Sequence, residues 1–250
     1  MLKVKDLNVA YGTLQILKNV DFELEKSCWL MIAGPNGAGK STLLNAISQN
    51  IKYTGSIFFN DKDIKDIRPK ERAKLIGILS QNHYVGYSFT VGEVVEMGRY
   101  AHSTGLFTSS GNDEDCVKNA LQLTGMTEFE DKSVLTLSGG ELQRTFLAQL
   151  IAQDPQLMLL DEPANHLDII YQKQVFELIS KWIKKTGRSV ISVVHDLSLA
   201  KKFGTHAILM NNGSIYAEGR TDDVLSKDNL LKVYGIDVYG WMNDMHEQWR

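Results

Sequence analysis

The sequence contains little cysteine and no long hydrophobic run. Its 250 residues include two cysteines, Cys28 and Cys116, whose separation matches neither a metal-ligand spacing nor a disulfide scaffold. We therefore expect a reducing, cytosolic environment. The longest apolar runs, such as residues 29–33, have about five residues, whereas a membrane-spanning helix needs roughly 18 or more. The chain is therefore not expected to cross a bilayer by itself.

Excess positive charge is also absent. The 27 Lys and Arg residues are outnumbered by 30 Asp and Glu residues, which gives a net charge of −3. A nucleic-acid partner recognised through a strong positive field is therefore not expected. The first residues already include Lys3 and Lys5, without the apolar core of a signal peptide, so no secretory leader is expected. The composition is that of a folded globular chain with one large domain or two small ones.

Strand and helix patterns alternate along the sequence. Residues 1–60 have the short apolar and period-two patterns of strands, and strands alternate with helices again from residue 157. This order predicts an α/β fold with a mainly parallel core sheet. Residues 85–155 have helical spacing and a loop rich in Gly, Ser and Thr. They predict a helical subdomain inserted into the α/β core.

Four apolar runs of the sequence each end in polar residues. The runs are 29–33, 76–79, 157–160 and 190–194, and they are followed by Gly34, by Ser80 and Gln81, by Asp161 and Glu162, and by His195. Near-continuous apolar runs are typical of strands buried on both faces of a parallel sheet, where ligands bind beyond the carboxyl ends. A polar strand cap would explain any one of these ends. Together they predict one functional edge if the strands are neighbours.

The first strand end carries a phosphate-binding pattern. Residues 34–41 fit G-x-x-x-x-G-K-[ST] between a strand and a helical run at 41–48. Glycines leave backbone N–H groups free to surround phosphates at a helix N-terminus. Lys40 would contact the β- and γ-phosphates, and the Ser41 hydroxyl would bind Mg²⁺. The predicted nucleotide-binding residues are Gly34, Pro35, Asn36, Gly37, Ala38, Gly39, Lys40, Ser41 and Thr42.

Three further side chains at the strand ends fit nucleotide hydrolysis. Asp161 would bind the metal directly or through water, and Glu162 would polarise the attacking water. The alternative for both is a strand capped by acids before Pro163. His195 would contact the γ-phosphate; alternatively, it is a strand-end histidine beside Asp196, which would be the N-cap of the next helix.

A second anion site is predicted near residue 138. Ser138 and Glu141 form an S-x-x-E capping box before a helical run through Gln153. A capped structural helix accounts for this pattern on its own. The two intervening glycines, Gly139 and Gly140, are not required for capping, and they expose N–H groups at a helix end that favours anions.

Together these motifs resemble an ABC-transporter ATPase over nearly the whole chain. The resemblance rests on the phosphate loop, Leu-Ser-Gly-Gly-Glu-Leu-Gln-Arg at 137–144, Leu-Met-Leu-Leu-Asp-Glu-Pro at 157–163 and the lone His195. It implies a single ABC ATPase domain with an antiparallel β subdomain, and a C-terminal tail at about 236–250. It also implies a head-to-tail homodimer with Mg²⁺ and ATP.

The resemblance assigns further residues. It implies that Leu137, Ser138, Gly139, Gly140 and Glu141 form the signature that caps ATP on the other subunit. Tyr11, in the loop expected after the first strand, would stack on adenine; the alternative is a tyrosine beside Gly12 that packs in a turn. Gln81 matches the Q-loop, as γ-phosphate sensor and metal ligand, and Asp168 matches the D-loop.

A finer resemblance points to one subfamily. Residues 90–102, residues 165–169 and Gln172 are similar to ATPases of iron–siderophore, haem or cobalamin importers. Ala101, Ala164 and Leu142 depart from that pattern, where proline, threonine or serine, and arginine are common. The departures affect the substrate assignment and leave the ATPase core intact.

The implied partners are a membrane permease dimer and, indirectly, an extracytoplasmic binding protein. The chain would then lie peripherally on the cytoplasmic face of the cell membrane. The alternatives are a soluble ABC ATPase acting as an assembly scaffold, or an importer or exporter subunit for another substrate. A chromosome or DNA-repair ATPase is disfavoured because the roughly 100 residues between the two phosphate motifs carry no sustained heptads.

Overall fold

The computed structural model describes residues 1–80, 86, 88–103, 111–165 and 167–248. The strands are β1 Leu2–Tyr11, β2 Leu14–Leu24, β3 Trp29–Ala33, β4 Thr54–Phe59, β5 Lys62–Asp63, β6 Ile76–Leu79, β7 Leu157–Asp161, β8 Ser189–Val193, β9 His206–Asn211 and β10 Ser214–Arg220. The α-helices are α1 Lys40–Ile47, α2 Pro69–Leu75, α3 Val91–Met97, α4 Gly111–Thr124, α5 Gly139–Gln153, α6 Ile169–Thr186, α7 Leu197–Phe203, α8 Thr221–Val224, α9 Lys227–Tyr234 and α10 Val238–Glu247.

The chain forms two compact units. The first unit contains Met1–Asp63 and Ile191–Arg250, and the second contains Ile64–Val190. The second unit is thus an insertion, in sequence, into the first. Strand β8 includes the point where the chain passes from the second unit back to the first.

An antiparallel sheet fills one part of the first unit, with strand order β2-β1-β4-β5. Val4 lies opposite Phe22 on β2 and Ile57 on β4, and all three side chains are buried. Alternate residues of β1 share a face, so its period-two pattern places the apolar side chains of this sheet together. The strand patterns predicted within residues 1–60 correspond to β1, β2 and β4 of this sheet and to β3, which is not part of it.

A second set of strands in the first unit positions the phosphate-binding pattern. Strand β3 is parallel to β9, with Ala33 opposite Leu209, and β9 is antiparallel to β10. All five residues of β3 are buried, as expected of a central parallel strand. The Trp29 indole Nε1 donates to Ser192 Oγ at 2.8 Å, which satisfies the polar atom of a large buried side chain.

The second unit combines a parallel strand pair with helices. Strands β6 and β7 pair in parallel, with Leu79 opposite Leu160, and both are largely buried. Helices α3 and α4 pack against α5. The buried Arg99, in a 3₁₀ turn after α3, bonds Asp113 at 2.8 Å and the Ala152 carbonyl at the end of α5 at 2.7 Å.

The predicted α/β fold, with parallel and antiparallel strands and helical segments, is confirmed. Some boundaries differ from the sequence patterns. Tyr11 was expected in the loop after the first strand but is the last residue of β1, because its backbone pairs with Leu14. None of the described helices combines the length and the apolar character that a membrane span requires.

The two cysteines differ in their surroundings. Cys28 is buried, and burial raises the pKa of its thiol. Cys116 lies on α4 and is partly exposed. Neither forms a disulfide.

Candidate nucleotide-binding site

The phosphate loop leads from β3 directly into α1. Gly39 is the N-cap of α1 with φ 96°, and no side chain caps this helix end. A Cβ on Gly39 would lie 2.7 Å from Leu17 Cδ2, and one on Gly34 would lie 2.3 Å from the Met210 carbonyl oxygen. Glycine is therefore required at both positions by backbone conformation and by space. The uncapped N-terminus of α1 leaves N–H groups suited to an anion.

Lys40 is held inside this loop. Its side chain is only 6% exposed, and Nζ donates to the carbonyl oxygens of Gly34 at 2.8 Å and Pro35 at 3.0 Å. A buried ammonium requires such acceptors because unpaired burial is costly. The contacts place a cation within the curve of the loop, where the sequence predicts the phosphates. Ser41 and Thr42 follow in the first turn of α1 and are partly exposed.

Two other predicted residues of the first unit are exposed. Tyr11 is 55% exposed at the end of β1, as a ring available for stacking would be. His195 is exposed immediately after the Val194 that bonds the Ile32 carbonyl of β3. Asp196 caps α7 by accepting from Ser198 N and Leu199 N, as the alternative interpretation of this segment expected.

The acidic pair lies at the end of β7 in the second unit. Asp161 is the last residue of the strand and is 7% exposed. Glu162 follows with φ 53°, a left-handed backbone that is uncommon for a residue other than glycine. Its carboxylate accepts from Asn165 Nδ2 at 2.7 Å. The two acids therefore occupy different backbone conformations.

The predicted second anion site begins α5. Ser138 and Glu141 form the expected capping box: Glu141 N donates to Ser138 Oγ at 3.3 Å, and Ser138 N donates to Glu141 Oε2 at 2.7 Å. The Ser138 hydroxyl also donates to Glu141 Oε2, at 2.8 Å. The hydrogen bond from the Ser138 backbone N–H, followed by the one from its hydroxyl, lowers the pKa of Glu141. Leu137 precedes the cap and is partly exposed.

The glycines after this cap have room for a side chain among the described residues. Both lie in the first turn of α5. A Cβ on Gly139 would meet nothing within 4 Å, and one on Gly140 would be in ordinary contact with the Tyr171 ring at 3.6 Å. Glycine in a helix costs about 0.5–1 kcal/mol relative to alanine. Gly139 therefore lies at an open, helical position where a larger side chain would fit among the described residues.

Asp168 caps α6, with Oδ1 accepting from Ile170 N and Tyr171 N at 3.0 Å each. The adjacent Ile169 and Ile170 are exposed. Gln81, assigned to the γ-phosphate and the metal, lies outside the described residues.

Three contacts near the predicted site residues were not predicted from the sequence. Asn165 holds Glu162, and Gln143 Nε2 donates to the Pro163 carbonyl at 3.1 Å, which ties α5 to the segment after the acidic pair. Gln143 lies within the motif 137–144, and Asn165 lies two residues after the motif 157–163. Their position in or beside these motifs was the only local indication of a role at the site. Burial raises the pKa of the Tyr234 phenol on α9, and the backbone N–H of Gly34 beside the phenol oxygen partly offsets this rise. No local pattern indicates that contact.

Each unit, taken by itself, carries groups of the kind that bind part of a Mg²⁺-nucleotide. The first unit supplies an uncapped helix N-terminus with a buried cation, and the second supplies a buried carboxylate and a separately held acid. Such groups bind phosphates and a hard divalent cation.

Comparison with known proteins places these motifs in context. A family model described as ABC transporter matches residues 17–165. The ferric enterobactin transport ATP-binding protein FepC of Escherichia coli is 37% identical over 94% of this chain and 87% of its own length. The uncharacterized ABC transporter ATP-binding protein YvrA of Bacillus subtilis is 36% identical over 95% of this chain, which spans only about half, 54%, of that protein.

A solved structure agrees with the fold. The dimeric structure of MJ0796, described as a bacterial ABC transporter cassette, superposes with a TM-score of 0.80 at 28% identity. It covers 88% of this chain and 99% of the MJ0796 chain.

Proposed function

The chain belongs to the ABC transporter family of ATP-binding proteins, and on that premise we propose that it powers uptake of a chelated metal. ATP hydrolysis is the activity of this family. The substrate would be of the iron–siderophore, haem or cobalamin type. The observation that carries this proposal is the 37% identity to a ferric enterobactin transport ATPase over 94% of the chain, which includes residues 90–102.

Nucleotide binding is assigned to the first unit. The N–H groups at the start of α1 would receive the phosphates, and Lys40 would exchange its bonds to the Gly34 and Pro35 carbonyls for bonds to phosphate oxygens. Tyr11 would stack on the base. Mg²⁺, when bound, neutralises charge on the β- and γ-phosphates. Ser41, Gln81 and Asp161 are its proposed protein ligands.

Hydrolysis is assigned to Glu162 as general base. The left-handed backbone and the Asn165 amide fix its carboxylate, so that it can accept a proton from the attacking water. Exposed His195 would orient the γ-phosphate. Gln81 would sense that phosphate.

A second copy would complete each nucleotide site. The exposed segment from Leu137 to Glu141 and the open position of Gly139 support an approach by the ATP of the other subunit. Asp168 would lie at the same interface, in addition to capping α6. The dimeric state of the MJ0796 cassette supports this arrangement.

Coupling to a membrane permease is assigned to the second unit. Met97, the last residue of α3, is 44% exposed, and Tyr100, in the 3₁₀ turn that follows, is 74% exposed. Both fall in the segment that resembles metal-chelate importers. Their exposure supports a docking surface for a cytoplasmic permease segment. The chain would then reside on the cytoplasmic face of the membrane as a peripheral subunit, with a binding protein acting on the permease from outside.

The decisive experiment co-expresses the chain with a permease of the metal-chelate importer type and with the matching binding protein. In reconstituted vesicles, ATP hydrolysis should increase when the binding protein carries a ferric siderophore, haem or cobalamin. Lys40→Ala should abolish this response. ATPase activity without permease association would favour the assembly-scaffold function, and stimulation by an unrelated solute would reassign the substrate.

A further inference from the structure

A groove lies in the second unit and shares with the motifs assigned above only Arg144, the last residue of the segment 137–144. It has a volume of about 540 Å³ and lies between the end of α4, the middle of α5 and the outer face of α6. Its walls are formed by Leu123, Leu147, Leu178 and Trp182. A volume within roughly 300–1,000 Å³ and mainly apolar walls are typical of small-molecule sites.

The charged groups of the groove are unbalanced. Arg144, Lys181 and Lys185 line it, with Glu177 as the acid. Glu177 faces Lys173 at 3.8 Å along α6, and Lys173 is not among the lining residues. Within the described part of the chain, none of the three lining cations forms an ion pair with a carboxylate.

Arg144 has unused hydrogen-bonding capacity. Its guanidinium lies 5.0 Å from the centre of the Tyr171 ring, and its Nε is buried without a hydrogen-bond partner among the described residues. An unsatisfied buried donor is unfavourable because it has lost its hydrogen bonds to water. An acceptor that draws the guanidinium into a new position would relieve this cost.

We propose that the groove binds an amphiphilic monoanion, a small molecule with a carboxylate head and an apolar body. The apolar body packs against Leu123, Leu147 and Trp182, and the carboxylate is held by Arg144, Lys181 and Lys185. The charge excess selects an anion, and the apolar walls exclude a fully hydrophilic one.

The location gives the site a regulatory role, which rests on the proposed ATPase function. Arg144 extends from the helix that begins at Gly139, and it contacts Tyr171 in the first turn of α6, next to Asp168. A bound carboxylate competes with the Tyr171 ring for Arg144. The contact between the starts of α5 and α6 then weakens, so occupancy lowers the rate of ATP hydrolysis.

The test uses decanoate, below its micellar concentration, and isothermal titration calorimetry on the full chain. Saturable binding is expected. Lys181→Glu combined with Lys185→Glu should weaken it at least tenfold, and the neutral decanamide should bind at least tenfold more weakly than decanoate. Lys184→Glu is the matched control, since Lys184 is exposed on the same helix but does not line the groove. Its affinity should stay within about twofold of wild type.

Several outcomes overturn the proposal. They are absence of saturable binding, equal loss in the Lys184→Glu control, or equal affinity for decanamide. Stronger, competitive binding of an acidic amphipathic peptide would assign the groove to a protein partner instead. Saturating decanoate should also lower the ATPase rate at least twofold in wild type and not in the double variant. Binding with an unchanged rate overturns the regulatory role alone, whereas a chain without any ATPase activity contradicts the proposed function and leaves the calorimetric result valid.

Discussion

Glu162 stands out among individual residues because of its backbone. A residue other than glycine at φ 53° stores strain of about 1–3 kcal/mol. That strain persists because Glu162 O also accepts from Asn165 N at 3.0 Å, while the Asn165 amide holds the carboxylate. The tight turn thus directs one acid away from the strand that presents Asp161.

Replacing Glu162 with glutamine tests the general-base assignment. Glu162→Gln removes the proton acceptor while preserving the size of the side chain, so hydrolysis should fall about 10²–10⁴-fold. ATP affinity should remain close to wild type because the phosphate loop is unchanged. Steady-state phosphate release and equilibrium nucleotide binding measure the two effects. Hydrolysis near the wild-type rate would remove Glu162 from this role.

Gly139 offers a test in which stability and activity change in opposite directions. Among the described residues, a methyl group on Gly139 meets no heavy atom within 4 Å. Gly139→Ala should therefore raise the free energy of unfolding by up to about 1 kcal/mol through helix propensity. ATPase activity should fall at least tenfold, because the methyl group would obstruct the nucleotide of the other subunit. Denaturant melts and phosphate release report both; unchanged activity would contradict the assignment in trans.

Residue-level prediction from the sequence succeeded where a pattern is local. The Ser138–Glu141 capping box and the strand–loop–helix context of Lys40 depend on neighbours within a few positions, and both are present. The strained backbone of Glu162 follows from no rule of propensity, and the contact of Tyr234 with Gly34 joins residues 200 positions apart. Local sequence carries no information on such contacts.

Among the elements, α5 is fixed at both ends. Its first turn is capped by Ser138, and its last carbonyls accept from side chains outside the helix: Arg99 reaches Ala152 O, and His102 Nε2 lies 2.8 Å from Gln153 O. The positive charge of Arg99 at the C-terminus of the helix also interacts favourably with the negative end of the helix dipole. The capping box was predictable from its spacing. The contacts of Arg99 were not, because they depend on how three helices pack.

The cap makes part of the stability of α5 depend on pH. The folded-state pKa of Glu141 lies below its ordinary value of 4.5, because the Ser138 N–H and hydroxyl bond its carboxylate. Its contribution is therefore complete above the unfolded pKa and is lost as pH falls through the folded pKa. Glu141→Gln should be less stable than wild type at pH 7, and the difference should shrink below about pH 4.5. Denaturant titrations between pH 7 and 3 measure it, with exposed Glu128→Gln as the control.

The buried pair between α4 and the turn after α3 should matter more than surface pairs. Arg99 and Asp113 have side chains only 8% and 10% exposed. Asp113→Ala leaves an uncompensated buried charge and should lower the free energy of unfolding by about 3–5 kcal/mol. Glu114→Ala on the same helix removes an exposed pair at 4.0 Å and should cost about 0–1 kcal/mol. Similar losses in urea titrations of the two variants would contradict the structural role of Asp113.

Across the whole molecule, the motifs are divided between the two units. The phosphate loop and His195 belong to the first, and the acidic pair and the Ser138 helix belong to the second. The order of these motifs along the chain was sufficient to predict the fold and the family. The division of the chain at residues 63/64 and 190/191 was not predicted, because it reflects the density of contacts in three dimensions.

ATP-dependent association is the prediction for the whole chain. In Glu162→Gln with Mg²⁺-ATP, slow hydrolysis should keep ATP bound between the two subunits of the head-to-tail homodimer. Light scattering should then give twice the monomer mass. Lys40→Ala added to this variant should restore the monomer, because the phosphate contacts are lost. A monomer in both variants would argue against the head-to-tail homodimer.

The unequal burial of the two cysteines has a practical consequence. Cys28 is buried with a raised thiol pKa, so alkylating reagents will find little thiolate there. Cys116 is partly exposed on α4. The natural sequence therefore already provides Cys116 as a nearly unique attachment point for a fluorescent or spin label on the second unit. Movements of α4 during turnover can be followed spectroscopically without engineering the chain.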